Sequence, residues 1–276
     1  MSARRTAATV TPAPPTDGTP DARDRAARAA SRSARAAPRS LAIGVHAPTA
    51  FRTLTIVIAL LAAASLGGTI SRLFLGHDTL LGLIPLFNVD AEANVPTWFS
   101  AAMLLFASLL LAIIWRAESA RGGRFARHWG ALALIFVYLS ADEGGHVHEV
   151  ISTPLLVGDF MQRFGGITWL FLNGLGLVVV CVLYRRFVFA LPSDVLRLAL
   201  ASATVFVAGA VGVELATWLS RRIDPGSVVL EFMPLVEESL EMLGVALFIY
   251  ALLLFIARHL PPLALMVGDA RRSSPE

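Results

Sequence analysis

Residues 230–257 read LEFMPLVEESLEMLGVALFIYALLLFIA, and this stretch decides the class of protein. About 20 mostly apolar residues suffice for a helix to cross the hydrocarbon of a bilayer. The second half of the stretch has no charged side chain, whereas the first half carries four glutamates. The stretch therefore predicts a membrane-spanning helix with one unusually acidic end.

Five similar apolar blocks precede it, at about residues 53–75, 97–115, 129–152, 166–187 and 197–219. The 276-residue chain is 56% hydrophobic and 16% charged, with a mean hydropathy of +0.68, whereas soluble domains carry about 25% charge. In lipid, backbone groups must pair within their own segment, which favours helices. We predict an all-α polytopic membrane protein with a six-helix transmembrane bundle. A soluble enzyme, a disulfide-rich secreted module and a nucleic-acid partner are excluded.

The segments outside the bundle have a different composition. Residues 1–50 are rich in Arg, Ala and Pro and poor in large apolar side chains, which predicts a disordered cytoplasmic tail. Residues 51–260 form the transmembrane domain, and residues 261–276 a short cytoplasmic tail. The single cysteine, Cys181, excludes an intramolecular disulfide and a cysteine metal cage.

The orientation follows from the arginines, which supply all of the basic side chains. If the N-terminus is inside, 19 arginines lie on the inner side and 4 on the outer side. The positive-inside rule then places both termini in the cytoplasm. The expected location is the inner (plasma) membrane, with the lipid bilayer as partner. Trp98 and Trp218 fall at outer ends of the spans and Trp115 and Trp129 at inner ends, as in an aromatic belt.

Two local patterns predict how the spans are connected and packed. The apolar run at 80–87 is too short to cross a bilayer, so we expect it to lie at the interface or over the mouth of the bundle. Ala208, Gly212 and Ala216 repeat small residues every four positions, which favours close helix packing.

Acidic residues inside the spans are the main functional signal. Each ionised carboxylate near the bilayer centre costs at least about 2.5 kcal/mol, so an intramembrane acid suggests a function. From Trp129 to Ala141 a helix covers only about 20 Å, so the acidic segment that follows must continue the third span or line a cavity. Eight of the 20 acidic residues lie in predicted spans: Asp142, Glu143, Glu149, Glu214, Glu231, Glu237, Glu238 and Glu241.

Helix geometry brings several of these groups to a common level. Asp142, His146 and Glu149 share one helix face, whereas His148 points away and is expected to be interfacial. Counted at about 1.5 Å per residue, acids of three spans lie at a similar depth in the outer half of the bundle. No lysine and no interior arginine balances them. We predict one shared site of Asp142, Glu143, His146, Glu149, Glu214, Glu238 and Glu241.

Carboxylates grouped in a low dielectric need protons, a metal ion or a cationic substrate to balance their charge. Glu143 and His146 form a Glu-x-x-His pair, a donor set that suits Zn, Mn or Fe, and a divalent metal is the favoured occupant. Such a site would serve metal handling or a metal-dependent membrane enzyme acting on a lipid-like substrate, with Glu143 or Glu149 as base. The alternatives are a proton relay in a proton- or cation-coupled transporter, and protonated carboxyl groups that hydrogen-bond the helices together.

Overall fold

The computed structural model describes residues 44–145 and 167–261, and within these ranges all regular secondary structure is helical. The all-α class predicted from the sequence is therefore confirmed. The first helix begins at Ala47, a few residues before the predicted end of the N-terminal tail. The rest of that tail, as residues 1–43, and the C-terminal tail from residue 262 lie outside the described residues.

The helices follow one another with short connections. A π-helical segment, Ala208–Val213, joins α6 to α7 in one continuous helix, and 3-10 turns at Leu80–Gly82 and Val228–Glu231 precede α2 and α8. The α-helices are α1 (Ala47–Leu75), α2 (Leu83–Phe87), α3 (Val95–Ala120), α4 (Ala126–Gly145), α5 (Ile167–Val188), α6 (Ser193–Val207), α7 (Glu214–Ile223) and α8 (Met233–His259).

Four helices of the described ranges are long and apolar enough to cross a membrane. They are Ala47–Leu75, Val95–Ala120, Ser193–Ile223 and Val228–His259, and they coincide with the first, second, fifth and sixth predicted spans. The third and fourth predicted spans overlap α4 and α5. The acidic segment after Ala141 continues α4 as far as Gly145, as the sequence predicts. The chain is thus a helical protein of membrane-protein character.

The apolar run at 80–87 forms only a 3-10 turn and the five-residue α2, which is too short to cross a bilayer, as predicted. Asn94 caps α3: its Oδ1 accepts a hydrogen bond from the Thr97 backbone N–H at 3.1 Å. Its Nδ2 donates to the Asn88 carbonyl oxygen at 2.6 Å. The Val89 N–H donates to Ser65 Oγ of α1 at 3.2 Å. The Asn94 bonds order the connection at the start of α3, and the Val89 bond holds the connection against α1.

Helix α8 lies at the centre and packs against α1, α3 and α6. Its residues Ala246 and Ile249 are completely buried. A Cβ atom at Gly244 would lie 2.8 Å from Phe206 Cβ, so the glycine lets α6 and α8 meet closely. Ser202 Oγ then donates to the Gly244 carbonyl oxygen at 2.8 Å. Close backbone approach and interhelical hydrogen bonds are the contacts that hold helices together in lipid.

An aromatic cluster joins α4, α5 and α8 near the end of the molecule that carries Arg258. The Phe187 ring lies 4.8 Å from the Trp129 ring and stacks on His128 at 5.6 Å. The Trp129 ring is also 5.0 Å from Phe255. Trp129, expected at the lipid interface, is only 4% exposed because these rings surround it. Trp98, by contrast, is 72% exposed, as an interfacial residue would be.

Candidate cation-binding site

The acidic turn of α8 carries three glutamates on one side of the helix. Helix α8 begins at Met233 with Pro234 in its first turn, where proline needs no hydrogen-bond partner for its nitrogen. Glu237, Glu238 and Glu241 follow in the next two turns and are half-buried. Glu241 interacts electrostatically with both other glutamates. The turn therefore concentrates negative charge at one place in a helix that is otherwise apolar.

The π-helical segment between α6 and α7 packs directly against this acidic turn. A Cβ atom at Gly209 would lie 2.8 Å from the Glu237 carbonyl oxygen and 3.2 Å from Glu241 Cγ. Only glycine permits that approach. The small-residue pattern predicted close packing at Gly212, but a Cβ there would meet only Val207 of its own helix, at 4.0 Å. The predicted close packing exists one turn earlier, at Gly209.

Glu214 is the first residue of α7, immediately after the π-helical segment. It is half-buried and interacts electrostatically with Glu237 and Glu241. π-Helical turns are rare within α-helices and occur frequently at functional sites. Here the segment brings a carboxylate of a second helix to the acidic turn of α8.

A third helix contributes Glu143, which lies two residues before the described end of α4. Ser140 Oγ donates to the Ala101 carbonyl oxygen at 2.8 Å and so ties this end of α4 to α3. Glu143 interacts electrostatically with Glu238 and Glu241. Glu143, Glu214, Glu237, Glu238 and Glu241 are hereafter called the carboxylate cluster.

The connection after α2 and the ends of α1, α7 and α8 form a charged rim beside the cluster. Arg72 Nη2 donates to Glu231 Oε2 at 2.6 Å. Asp90 is partly solvent-exposed, yet burial of its carboxyl raises its pKa above the ordinary value of 3.8. The positive charges of Arg221 and Arg72 oppose that rise, and Glu231 adds to it. This group of four residues is hereafter called the rim: Arg72, Asp90, Arg221 and Glu231.

Asp90 connects the rim to the carboxylate cluster. It interacts electrostatically with Glu237 and with Glu238. Glu241 lies one turn further along α8, about 6 Å at 1.5 Å per residue, and interacts with both of those glutamates. The carboxylates thus form a sequence from the exposed connection at Asp90 to the half-buried Glu241.

Of the predicted site residues that the structure describes, Glu143, Glu214, Glu238 and Glu241 interact electrostatically, the first three each with Glu241. Asp142 lies half-buried on α4, next to Glu143 in the sequence. The remaining predicted members, His146 and Glu149, lie outside the described residues, as does His148.

The described part of the predicted metal site offers oxygen donors but not a complete ligand group. Within 44–145 and 167–261, no three or more His, Cys, Asp or Glu side chains are arranged to hold a metal ion. The carboxylates are oxygen donors suited to Mn or Fe, and Glu143 is the described half of the Glu-x-x-His pair.

Two members of the arrangement are missing from the predicted site. Glu237 is one turn from Glu241 on the same helix, and this four-residue spacing is a signal that could have identified it. Asp90 gives no such signal, because it reaches the cluster only through the fold of the connection against α1.

A small polar cavity lies next to the rim, between α1 and the connection that follows it. Its volume is about 150 Å³. The hydroxyl-bearing residues Ser65 and Thr69 are buried on this side of α1. Arg72 lines the cavity and also holds Glu231, so the cavity and the rim share a charged group. The lining residues are Ser65, Thr69, Arg72, Asp78, Ile84, Pro85 and Asn88.

Fold and site together define an all-helical protein of membrane type with acidic groups of three helices gathered at one place. Residues 53–256 match the family described as "Domain of unknown function (DUF8692)", and the chain belongs to that family. The match begins within α1 and ends within α8, so it includes every member of the carboxylate cluster. No curated protein and no solved structure is significantly similar to the chain.

Proposed function

We propose that this chain is an integral protein of the inner (plasma) membrane with six spans, whose carboxylate cluster binds and releases protons in a small proton- or cation-coupled transporter. The observation that carries the proposal is the electrostatic interaction among carboxylates of α4, α7 and α8. Ionisable groups inside membrane bundles commonly form proton relays and ion pathways.

The contacts at the two ends of the helices support the alternating direction of the proposed spans, whereas the arginine count is what favours both termini inside. Residues predicted to be outer, such as Arg72 and Glu231, pair with each other. Residues predicted to be inner do the same: Arg258 Nη1 is 3.0 Å from Asp194 Oδ2. Arg121 Nη1 donates to the His259 carbonyl oxygen at 3.3 Å. Spans that alternate in direction produce this segregation.

The charge balance supports a cation as occupant. The electrostatic partners of Glu237, Glu238 and Glu241 among the described residues are all carboxylates. Several interacting carboxylates in a low dielectric cannot all remain ionised without a compensating positive charge. A proton supplies that charge at any pair of carboxylates and requires no fixed coordination geometry.

The order of the groups supports exchange of protons with one side of the membrane. Asp90 is partly exposed, Glu237 and Glu238 come next, and Glu241 follows one turn deeper. A proton taken up at Asp90 would therefore meet further acceptors in succession. Because Asp90 belongs to a predicted outer connection, we place proton entry on the outer side.

A second candidate function is binding of a divalent metal ion, Zn, Mn or Fe. The observation that favours it is the position of Glu143 within the cluster, because this glutamate begins the Glu-x-x-His pair with His146. His146 and Glu149 would complete the donor set with Glu238 and Glu241. Such a site would support metal handling or a metal-dependent membrane enzyme with a lipid-like substrate, in which Glu143 or Glu149 acts as base.

The two candidates are distinguished on the purified full-length chain. The infrared carbonyl absorption of protonated carboxyl groups is recorded at neutral pH, and bound metal is measured by elemental analysis before and after treatment with a chelator. For protons, we expect a carboxyl band that Glu238→Gln and Glu241→Gln each reduce and that the chelator leaves unchanged. Proteoliposomes with an imposed pH gradient should pass protons, and each variant should slow that flux.

For a metal, we expect a stoichiometric ion to co-purify. The chelator should remove it and lower the melting temperature, because a bound ligand stabilises the fold.

Glu118→Gln is the matched control for both measurements: its carboxylate pairs with Arg121, far along α3 from the cluster. A band unaffected by the cluster variants, or no proton flux, overturns the transporter proposal. Absence of bound metal overturns the second candidate.

A further inference from the structure

A basic groove lies between the start of α4 and the end of α5, at the end of the molecule that carries Arg258. Its volume is about 420 Å³. Three arginines and two aromatic rings dominate its surface, and no carboxylate lines it. The lining residues are Arg124, Phe125, Arg185, Arg186, Phe189 and Ala190.

Among the described residues, the nearby acidic side chains form ion pairs with arginines outside this basic groove. Glu118 is paired with Arg121, and Asp194 is paired with Arg258. Arg124 lies over the Phe125 ring, with its guanidinium carbon 5.2 Å from the ring centroid. That contact orients the guanidinium but leaves its hydrogen-bond donors available. Three guanidinium groups around one concave surface match the oxygens of a phosphate.

The walls of the groove are held in place by the aromatic cluster. Phe125, from just before α4, lies 5.8 Å from the Phe187 ring of α5. Phe187 is 3% exposed and also contacts His128 and Trp129. The basic side chains therefore project from a rigid base, so binding a ligand requires little rearrangement of the backbone.

The surface next to the groove is suited to acyl chains. Phe189, on the groove itself, is 76% exposed. Val182 and Leu183, one to two turns earlier on α5, are 59% and 65% exposed. A ligand with a phosphate at the groove and hydrocarbon along α5 would meet both kinds of surface. Basic pockets beside membrane helices bind anionic lipid head groups in this manner.

We propose that the basic groove binds the phosphate head group of an anionic phospholipid, whose acyl chains lie along α5. The site is separate from the carboxylate cluster, and the proposal holds whichever cation that cluster binds. The bound lipid would attach α4 and α5 to the leaflet on the Arg258 side.

The test uses the detergent-purified full-length chain, titrated with phosphatidylglycerol, with phosphatidylcholine and with inorganic phosphate. Melting temperature and lipid retention in native mass spectrometry are measured. Phosphatidylglycerol should raise the melting temperature and remain bound, whereas phosphatidylcholine and free phosphate should do neither. In the Arg185→Gln/Arg186→Gln variant, the Kd for phosphatidylglycerol should increase about tenfold or more, because each arginine near the surface contributes to anionic lipid binding.

The matched control is Arg116→Gln/Arg127→Gln, which removes two exposed arginines that do not line the groove. It should leave the Kd within about twofold of the wild type, a difference well under 1 kcal/mol. An Arg185→Lys/Arg186→Lys variant keeps the charge and should bind lipid better than the Gln variant, which separates binding from misfolding. Equal weakening in the control, or equal stabilisation by free phosphate, would overturn the proposal.

Discussion

Gly209 lies so close to Glu237 that a Cβ atom on the glycine would be 2.8 Å from the glutamate's carbonyl oxygen. This contact sets the distance between the π-helical segment and the acidic turn of α8. It also determines whether Glu214, five residues later, can reach Glu237 and Glu241. The geometry of the carboxylate cluster therefore depends on one residue that carries no functional group.

Gly209→Val should separate these helices and lower the stability of the protein by about 1–3 kcal/mol, the usual cost of adding atoms to a close-packed contact. Gly212→Val is the matched control, because the nearest atom to a Cβ there is 4.0 Å away in the same helix. Thermal unfolding in detergent measures both. Equal losses in the two variants would mean that helix propensity, and not the contact with Glu237, determines the effect.

The pKa of Asp90 predicts a pH-dependent stability. Burial raises this pKa above 3.8, so ionising Asp90 costs more in the folded protein than in the unfolded chain. The contribution of Asp90 to stability therefore falls as the pH rises from the ordinary value through the folded pKa. Asp90→Asn should raise the melting temperature at neutral pH and have little effect near pH 3.8 or below.

The control for this measurement is Asp78→Asn, an exposed aspartate of the same connection. A melting temperature that drops at neutral pH in Asp90→Asn would show that attraction to Arg72 and Arg221 outweighs the burial of the carboxyl.

The helices were predictable because their signal is local. Long apolar runs identify α1, α3, α6–α7 and α8 directly, and Pro234 marks the first turn of α8. The π-helical segment has no such signal, since Ala208–Val213 reads as ordinary helix with small residues. Its departure from α-helical geometry is associated with packing against α8, which a pattern within one helix does not contain.

The site was predictable to the extent that it follows helical periodicity and depth. Those two quantities selected Glu143, Glu214, Glu238 and Glu241 from three distant segments. They could not select Asp90, because a loop residue lies on no helix face and its depth cannot be calculated from its position in the sequence. Its position depends on hydrogen bonds such as that from the Val89 N–H to Ser65, which bring the connection to α1.

The proposed topology can be tested with cysteine labelling in a Cys181→Ser background, since Cys181 is the chain's single cysteine. Leu81 is completely exposed in the connection after α1, and Ser119 is exposed near the end of α3. A membrane-impermeant maleimide should label Leu81→Cys in intact cells and label Ser119→Cys only after permeabilisation. Labelling of Ser119→Cys alone in intact cells would invert the orientation and move the cluster to the cytoplasmic half.

The last prediction concerns the link between Asp90 and Glu237, whose carboxylates interact electrostatically. When both carboxylates are ionised, they repel each other. Neutralising either residue removes this repulsion, so neutralising the second residue as well gains nothing further from it. Asp90→Asn and Glu237→Gln should therefore be non-additive in a double-mutant cycle of thermal stability, with a coupling of about 0.5 kcal/mol or more at the highest pH that the protein tolerates. The coupling should vanish in acid, where both groups are protonated in the wild type.

Glu118→Gln provides the comparison pair, because Glu118 is bonded to Arg121 on another part of the molecule. Asp90→Asn and Glu118→Gln should be additive at every pH, since distant sites without shared partners do not couple. If Asp90→Asn and Glu237→Gln were additive across the whole pH range, the rim and the cluster would not be energetically coupled. Proton entry through Asp90 would then be wrong, even if the cluster itself binds protons.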